Sequence, residues 1–339
     1  MEDQHNHQPT REPWQRWFSD AMKAGGGMWV WVPLVVPIVV LCVVLLPTLA
    51  VMKSRLPSVT LYCAQDEVFA EPLLKQFTAQ TGIRVRAVYD SEAVKTVGLA
   101  NRLLAERAYP QCDVFWGNEE LRTRQLAAQG VWRETNGWSA LGYRSRRVVV
   151  NTNFLPLAQA PRSLLDLTNA AWRGKVALAY PLFGTTAAQF AALRQFWGEA
   201  RWEAWCRALQ ANQPFIVDGN SVVAKFVAKG EAWIGLTDSD DLAAEQHEGA
   251  PVMALPMSDE TLLIPNTVAV VRDGPRPAAA QKLVEFLRSP EVMRQLVAHQ
   301  ALEGADPADA GVKTLRPDWA RLLADLEPTM AKLKEVFLR

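Results

Sequence analysis

The sequence predicts an α/β fold made of two lobes with two hinge crossings, preceded by one apolar segment near the N-terminus. The first observation is that short apolar strands alternate with helices of about ten to fifteen residues, a pattern typical of mostly parallel sheets. The second is that the alternation occurs in two series, separated by an extended stretch at residues 144–153. A long apolar strand, residues 262–271, then returns the chain to the first lobe. The third is an uncharged run at residues 28–52, before both series.

This N-terminal run, residues 28–52, holds 25 residues without a charge. At about 1.5 Å per residue it is long enough to cross a hydrocarbon core of ~30 Å as a helix. We therefore predict an uncleaved transmembrane anchor. Because Thr48 and Ala50 follow the helix-breaking Pro47, an export signal cleaved after Ala50 is the alternative. The hydrophilic residues 1–27 are predicted to form a disordered tail.

The first series of elements is marked by its helix ends. An apolar strand at residues 59–62 is followed by Asp66, which suits a helix N-cap, and Gly82 ends that helix. Two further strand–helix pairs follow, at residues 83–89, 94–107, 113–116 and 119–129. In such sheets, ligands lie beyond the carboxyl ends of the strands. This rule points to the junctions at residues 64–67, 90–92 and 117–120.

The second series begins after the extended stretch. Its strands and helices alternate at residues 176–180, 185–197, 214–217, 221–229 and 233–237, and another helix starts near Ser239. The returning strand is followed by a helix at residues 278–288. We therefore assign residues 58–150 and 256–305 to lobe 1, residues 151–255 to lobe 2, and residues 306–339 to a C-terminal helical extension.

Composition and motifs exclude several functional classes. The 36 basic and 36 acidic residues cancel, which removes any argument for a nucleic-acid surface. Three of the four Cys lie outside the apolar run, without a close pair, so neither a disulfide framework nor a zinc site is supported. Phosphate-loop, dinucleotide-binding and GxSxG signatures are absent, so the sequence gives no positive sign of an enzyme or of a required cofactor.

A set of local sequences, taken in order between residues 59 and 301, resembles the ferric-iron-binding branch of the periplasmic substrate-binding proteins of ABC transporters. The set includes FTAQTGIRV, PQCDVFWGNE, ALAYPLFGTT, DGNSVVAKFVAKGEAWIGL and LLIPNTVAVV. The resemblance implies a hinged, type II periplasmic-binding-protein-like receptor that closes on a small ligand and delivers it to an ABC permease. It also implies a monomer whose body lies outside the cytoplasm, either anchored by residues 28–52 or secreted into the periplasm after cleavage.

The cation half of the family site differs in this sequence. Iron-binding members typically have two adjacent Tyr after the IGL strand, and these positions are Asp240 and Asp241 here. The first-loop ligand position is Asp66, and the carboxylate after the DVF strand is Glu119, or Asn118 if the short loop aligns differently. The resemblance therefore implies a carboxylate metal site, which suits Fe(III) but also Mn, Mg or Ca. A cationic organic ligand would be satisfied by the same acids.

The anion half of the family site persists. A GTT sequence opens a helix, so its backbone N–H groups and hydroxyls are expected to form an anion seat, at Gly184, Thr185 and Thr186. Asn220 matches a family position that contacts the accompanying anion, and Ser91, at the second strand junction, is a further candidate ligand contact. In iron-binding members this seat holds carbonate or phosphate.

Three functions remain open at this point. The first is a receptor for Fe(III) or a related metal with its anion. The second is the same receptor fold binding an organic phosphate, a phosphonate or another small organic solute. The third is a membrane-tethered enzyme or sensor, which no sequence motif supports.

Overall fold

The computed structural model describes residues 57–90, 95–134, 137–255, 260–310 and 313–338, and Asp20 before them. The predicted tail and transmembrane segment, residues 1–27 and 28–52, lie outside these described residues apart from Asp20, and so does Ser91. Within the described ranges, no helix combines the length and the apolar character that a membrane span needs.

The first sheet is built on three parallel strands, as the alternation predicts. Its strands are β1 (Ser58–Cys63), β2 (Arg84–Val88) and β3 (Val114–Gly117), to which β9 (Leu263–Val270) adds in antiparallel orientation. The helices that follow the parallel strands are α1 (Glu67–Thr81), α2 (Lys95–Ala105) and α3 (Glu120–Ala128). With α8 (Pro277–Leu287) and α9 (Pro290–Ala298), these elements form what we call the first lobe.

One long strand, β4 (Trp138–Asn151), belongs to both sheets. Its first part pairs with β9 as far as Ser145, and from Arg146 onward it pairs with β7. Its register slips at Gly142, which has a positive φ of 64° and where a Cβ atom would lie 2.6 Å from the carbonyl oxygen of Gly304. Only glycine fits this irregularity, which lies just before the change of sheet.

The second sheet contains β5 (Val176–Ala179), β6 (Phe215–Val217), β7 (Ile234–Asp238) and β8 (Val252–Ala254). Strand β5 is parallel to both β6 and β7. The helices that accompany this sheet are α4 (Gly184–Trp197), α5 (Glu199–Ala211), α6 (Asn220–Ala228) and α7 (Ser239–His247). Together these elements form what we call the second lobe. The residue boundaries predicted for the two lobes remain predictions.

The C-terminal extension makes a third passage between the sheets, beyond the two crossings that the sequence predicts. Tyr143 bridges to Gly304, just before the extension, and Leu262 bridges to Leu315 within it. The chain then forms α10 (Trp319–Ala324) and α11 (Leu326–Phe337). The ring of Phe337 lies 5.9 Å from that of Phe190 in α4, so α11 packs into the core of the second lobe.

Candidate functional site

A cleft lies where the carboxyl ends of the parallel strands of both lobes meet. It contains about 560 Å³ of space, part of which is open to solvent. The first lobe lines it with Asp66, Thr96, Asn118 and Arg144. The second lobe contributes Ala179, Tyr180, Phe183, Gly184, Thr185, Thr186, Asp218, Gly219, Asn220, Asp238 and Asp241.

Two helices of the second lobe begin at this cleft without a side-chain cap. The N-cap residues of α4 and α6 are Phe183 and Gly219, and neither makes a side-chain capping bond. Gly184 at the start of α4 has a φ of 54°, a left-handed conformation that favours glycine. Uncapped first-turn N–H groups and the positive end of the helix dipole together attract an anion. The predicted anion seat at residues 184–186 therefore has a counterpart at residues 219–220.

The predicted anion contacts Thr185 and Asn220 are buried or half-buried, and their side chains bond to each other. The Thr185 hydroxyl donates to Asp238 at 2.8 Å, and the Asn220 amide donates to the Thr185 oxygen at 2.9 Å. Arg146 donates to the Asn220 oxygen at 2.8 Å and to Asp238 at 2.6 Å. The Thr186 hydroxyl donates to the same Asn220 oxygen at 3.2 Å. This network ties the two helix N-termini together.

The carboxylates predicted as metal ligands have different surroundings. Asp66 and Asp241 line the cleft from opposite lobes. Asp240 is buried beside it, and its Oδ2 accepts a bond from Arg144 Nη1 at 2.5 Å. Arg144 Nη1 also lies 3.4 Å from Asp238, and its Nη2 donates to the Asn118 carbonyl at 2.9 Å. Arg144 therefore links the first lobe to the start of α7.

Three of the acids are close enough to influence one another. Oxygens of Asp238, Asp240 and Asp241 lie within 4.8 Å of one another. Burial raises the pKa of Asp240 to about 6, although Arg144 opposes this rise. Burial, followed by the neighbouring acids Asp240, Asp238 and Asp66, raises the pKa of Asp241 well above its ordinary value. The carboxyl group of Asp241 therefore resists ionisation unless a positive charge lies nearby.

Glu119 has a structural position rather than a place on the cleft wall. It is the N-cap of α3, where its carboxylate accepts from the Arg122 N–H at 3.0 and 3.2 Å. Burial raises its pKa to about 7. The neighbouring Asn118 lines the cleft instead, and the Thr96 hydroxyl donates to its side-chain oxygen at 2.6 Å.

Sequence reasoning missed Arg144, Arg146, Asp238 and Tyr180. The two arginines alternate within a buried strand, and charged groups in such a position require buried partners. The two arginines in this strand sequence therefore indicate a buried polar site along β4. Tyr180 follows β5 at the same sheet edge as Gly184, which the strand-end rule also covers.

Comparison with known proteins identifies relatives of this chain. The profile of the family described as "Bacterial extracellular solute-binding protein" matches residues 59–299. The major ferric iron-binding protein of Neisseria gonorrhoeae is 25% identical over 287 residues, which cover 77% of this chain and 85% of that protein. Iron-bound HitA from Pseudomonas aeruginosa is similar in structure, with a TM-score of 0.73 at 22% identity. AfuA from Actinobacillus pleuropneumoniae, with exogenous fructose-6-phosphate bound, has a TM-score of 0.72 at 20% identity.

Each of these two structural matches covers 83% of this chain and 99% of the other, and at these identities it shows the shared α/β periplasmic-binding-protein fold. The sequence relatives add that the chain is a solute-binding protein distantly related to ferric iron-binding proteins. The family consists of binding proteins rather than enzymes, so the enzyme is set aside from the third open function, a tethered enzyme or sensor. Because the family profile spans more than half of its length, the chain belongs to the bacterial extracellular solute-binding protein family.

Proposed function

We propose that this protein is the extracytoplasmic substrate-binding component of an ABC transporter, which closes on Fe(III) or a related metal together with an anion. The observation that carries the proposal is the composition of one cleft. Carboxylates from both lobes, Asp66 and Asp241, share it with the uncapped N-termini of α4 and α6. A cation between the acids and an anion on the helix ends would satisfy both sets of groups, and the loaded protein would then pass this cargo to a permease.

The charges of the site support a cargo that includes a positive centre. Asp238 pairs with Arg146, and Asp240 pairs with Arg144, so these two ion pairs are neutral overall. Two more acids line the cleft, Asp66 and Asp241, and burial, followed by repulsion from the neighbouring acids, raises the pKa of Asp241. A cation that contacts both acids removes this repulsion. Because the acids come from opposite lobes, such a cation would also favour closure.

The available donors are hard oxygen atoms. Carboxylates suit Fe(III), Mn, Mg and Ca, and Tyr180 places one phenol on the cleft wall. Fe(III) is favoured within this group because the sequence relative from Neisseria gonorrhoeae is named for ferric iron.

A second cargo, an organic phosphate or phosphonate, has its own supporting observation. Asp240 stands at one of the two family Tyr positions, yet Arg144 already occupies its carboxylate. This pair leaves fewer groups for a metal, while the N-termini of α4 and α6 have no side-chain caps and can receive an anion. AfuA, which has the same fold, is described with fructose-6-phosphate bound.

We further propose that residues 28–52 tether this body to the membrane and that the receptor is monomeric. Support for the tether comes from the 25 uncharged residues of the segment. Fractionation of producing cells tests the tether. Recovery of a soluble form that begins at Val51 would identify a cleaved signal instead.

Ligand titration of the full-length chain tests the cargo. The probes are Fe(III) with carbonate, Fe(III) with phosphate, phosphate alone and a sugar phosphate, each followed by calorimetry and by thermal unfolding. A ligand at 100 times its dissociation constant should stabilise the protein by about 2.7 kcal/mol. Stabilisation by Fe(III) only when an anion is present supports the main proposal. Stabilisation by the sugar phosphate without metal supports the second cargo, and no response to any probe contradicts both.

A further inference from the structure

Helix α10 lies between the two lobes, close to the helices that lead away from the cleft. It contacts α3 of the first lobe and α4 of the second. The first residue of α3 is two positions after Asn118, and α4 starts at Gly184, so both helices begin at the cleft wall. Helix α10 lies beyond residues 59–299, the part of the chain that matches the family profile.

The C-terminal extension is fixed to the second lobe. Its apolar side chains share one core with α4 and α5, namely Leu322, Leu326, Met330, Leu333, Val336 and Phe337. The side chain of Gln195 in α4 bonds to both backbone groups of Asp318, the residue before α10. It accepts from the Asp318 N–H at 2.7 Å and donates to the Asp318 carbonyl at 3.1 Å. Helix α10 must therefore move with α4.

The contact with the first lobe is centred on Arg124 of α3. Its guanidinium lies over the ring of Trp319 at 5.1 Å and over the ring of Trp138 at 5.0 Å. Glu120, one turn earlier, orients it by accepting from its Nε at 2.6 Å. Trp138 lies in the first part of β4, which pairs with β9 in the first lobe. Of the two tryptophans that Arg124 contacts, Trp319 is therefore the one attached to the second lobe. Leu121 of α3 packs in the same apolar cluster as Leu322 of α10.

We propose that α10 is a brace that favours closure of the cleft, with Trp319 and Arg124 as its contact across the lobes. Opening of the lobes separates α3 from α4 and therefore breaks this contact, whether or not a ligand is bound. The brace raises the fraction of ligand-free molecules that are already closed. Because apparent affinity scales with the binding-competent fraction, the brace also sets how tightly the receptor holds its cargo.

A distance measurement without ligand tests the brace. Spin labels are placed on the full-length chain at two exposed positions, Lys75→Cys in the first lobe and Arg173→Cys in the second. Cys42 is replaced by Ser, and the other three cysteines are buried. In this background we expect Trp319→Ala to shift the distribution of label-to-label distances away from that of the wild type and toward that of the open form.

The matched control is Trp197→Ala. Trp197 also stacks with an arginine, because Arg201 lies 5.9 Å from its ring, but both residues belong to the second lobe. This control loses a similar aromatic contact and should keep the wild-type distance distribution. Arg124→Gln removes the same link from the first-lobe side and decides the question if Trp319→Ala fails to fold.

A second arm uses inorganic phosphate and Fe(III) with carbonate as probes. A cation–π contact between half-buried side chains such as these changes an equilibrium by roughly two- to fivefold or more, so the apparent Kd should rise by at least this factor in Trp319→Ala. Failure of both probes to bind the wild type would contradict the proposed cargo but leave the distance test intact. Unchanged distances in folded Trp319→Ala or Arg124→Gln, or a shift of equal size in Trp197→Ala, would overturn the brace.

Discussion

Asp240 and Asp241 are adjacent acids, yet their replacement by alanine should affect the ligand-free protein differently. Asp240→Ala removes the partner of Arg144, whose side chain is 4% exposed and lies 2.5 Å from the Asp240 oxygen. The guanidinium does not give up its proton, so it would stay charged and buried, with Asp238 at 3.4 Å as a partial substitute. Removal of one partner from a buried ion pair costs about 3–5 kcal/mol.

Asp241 has no such ion-pair partner among the residues that the structure describes. Burial and the neighbouring acids raise its pKa, which means that the folded protein resists ionisation of this carboxyl group. Its side chain accepts a hydrogen bond from the Thr237 hydroxyl at 3.1 Å, and that hydroxyl also lies 2.7 Å from the Asn220 carbonyl oxygen. Asp241→Ala should therefore leave the stability of the ligand-free protein near pH 7 unchanged or higher.

Calorimetric melting of the full-length, ligand-free protein at pH 7 measures both effects. An unfolding entropy of about 2.1 cal/mol/K per residue over a body of roughly 280 residues gives about 0.6 kcal/mol/K. The loss in Asp240→Ala then lowers Tm by about 5–8 °C. The double variant Arg144→Met/Asp240→Leu replaces the pair with apolar groups and should recover most of this loss. A Tm of Asp240→Ala within 1 °C of the wild type (roughly the noise of such a scan), or an equal loss in Asp241→Ala, would refute the reasoning.

Four further predictions use other measurements. Burial raises the pKa of Glu119 from 4.5 to about 7, so the free energy of unfolding should fall by up to about 3 kcal/mol as pH rises through this window. Urea unfolding measures this profile, and Glu119→Gln should flatten it. Gly184→Val should weaken anion binding in calorimetry about tenfold, and Gly184→Asn less so, because asparagine tolerates the left-handed φ of 54°. Cation binding should release a proton from Asp241, which calorimetry in two buffers of different ionisation enthalpy detects. Any visible charge-transfer band with Fe(III) should disappear in Tyr180→Phe, since Tyr180 is the tyrosine that lines the described cleft.

Local sequence signals determined the alternation of strands and helices and the place of the cleft. The helix expected between Asp66 and Gly82 is observed as Glu67–Thr81, because Gly82 takes a left-handed φ of 69° that ends it. Strand-end residues such as Asp66 and Gly184 line the cleft, as the geometry of parallel sheets requires. These features depend on neighbours along the chain or on a general rule of the fold, so they are readable without coordinates. The family resemblance was likewise confirmed.

Only the tertiary structure decided which charges are paired. Arg146 and Asp238 face each other across β4 and β7, and Arg144 meets Asp240 across 96 positions of sequence. Strand register sets these partners, and no local pattern encodes a register between segments so far apart. The same holds for Trp319, whose contact with Arg124 depends on the third passage of the chain between the sheets. Composition determined that the charges balance, and the fold determined that Asp240 holds an arginine while Asp241 lines the cleft.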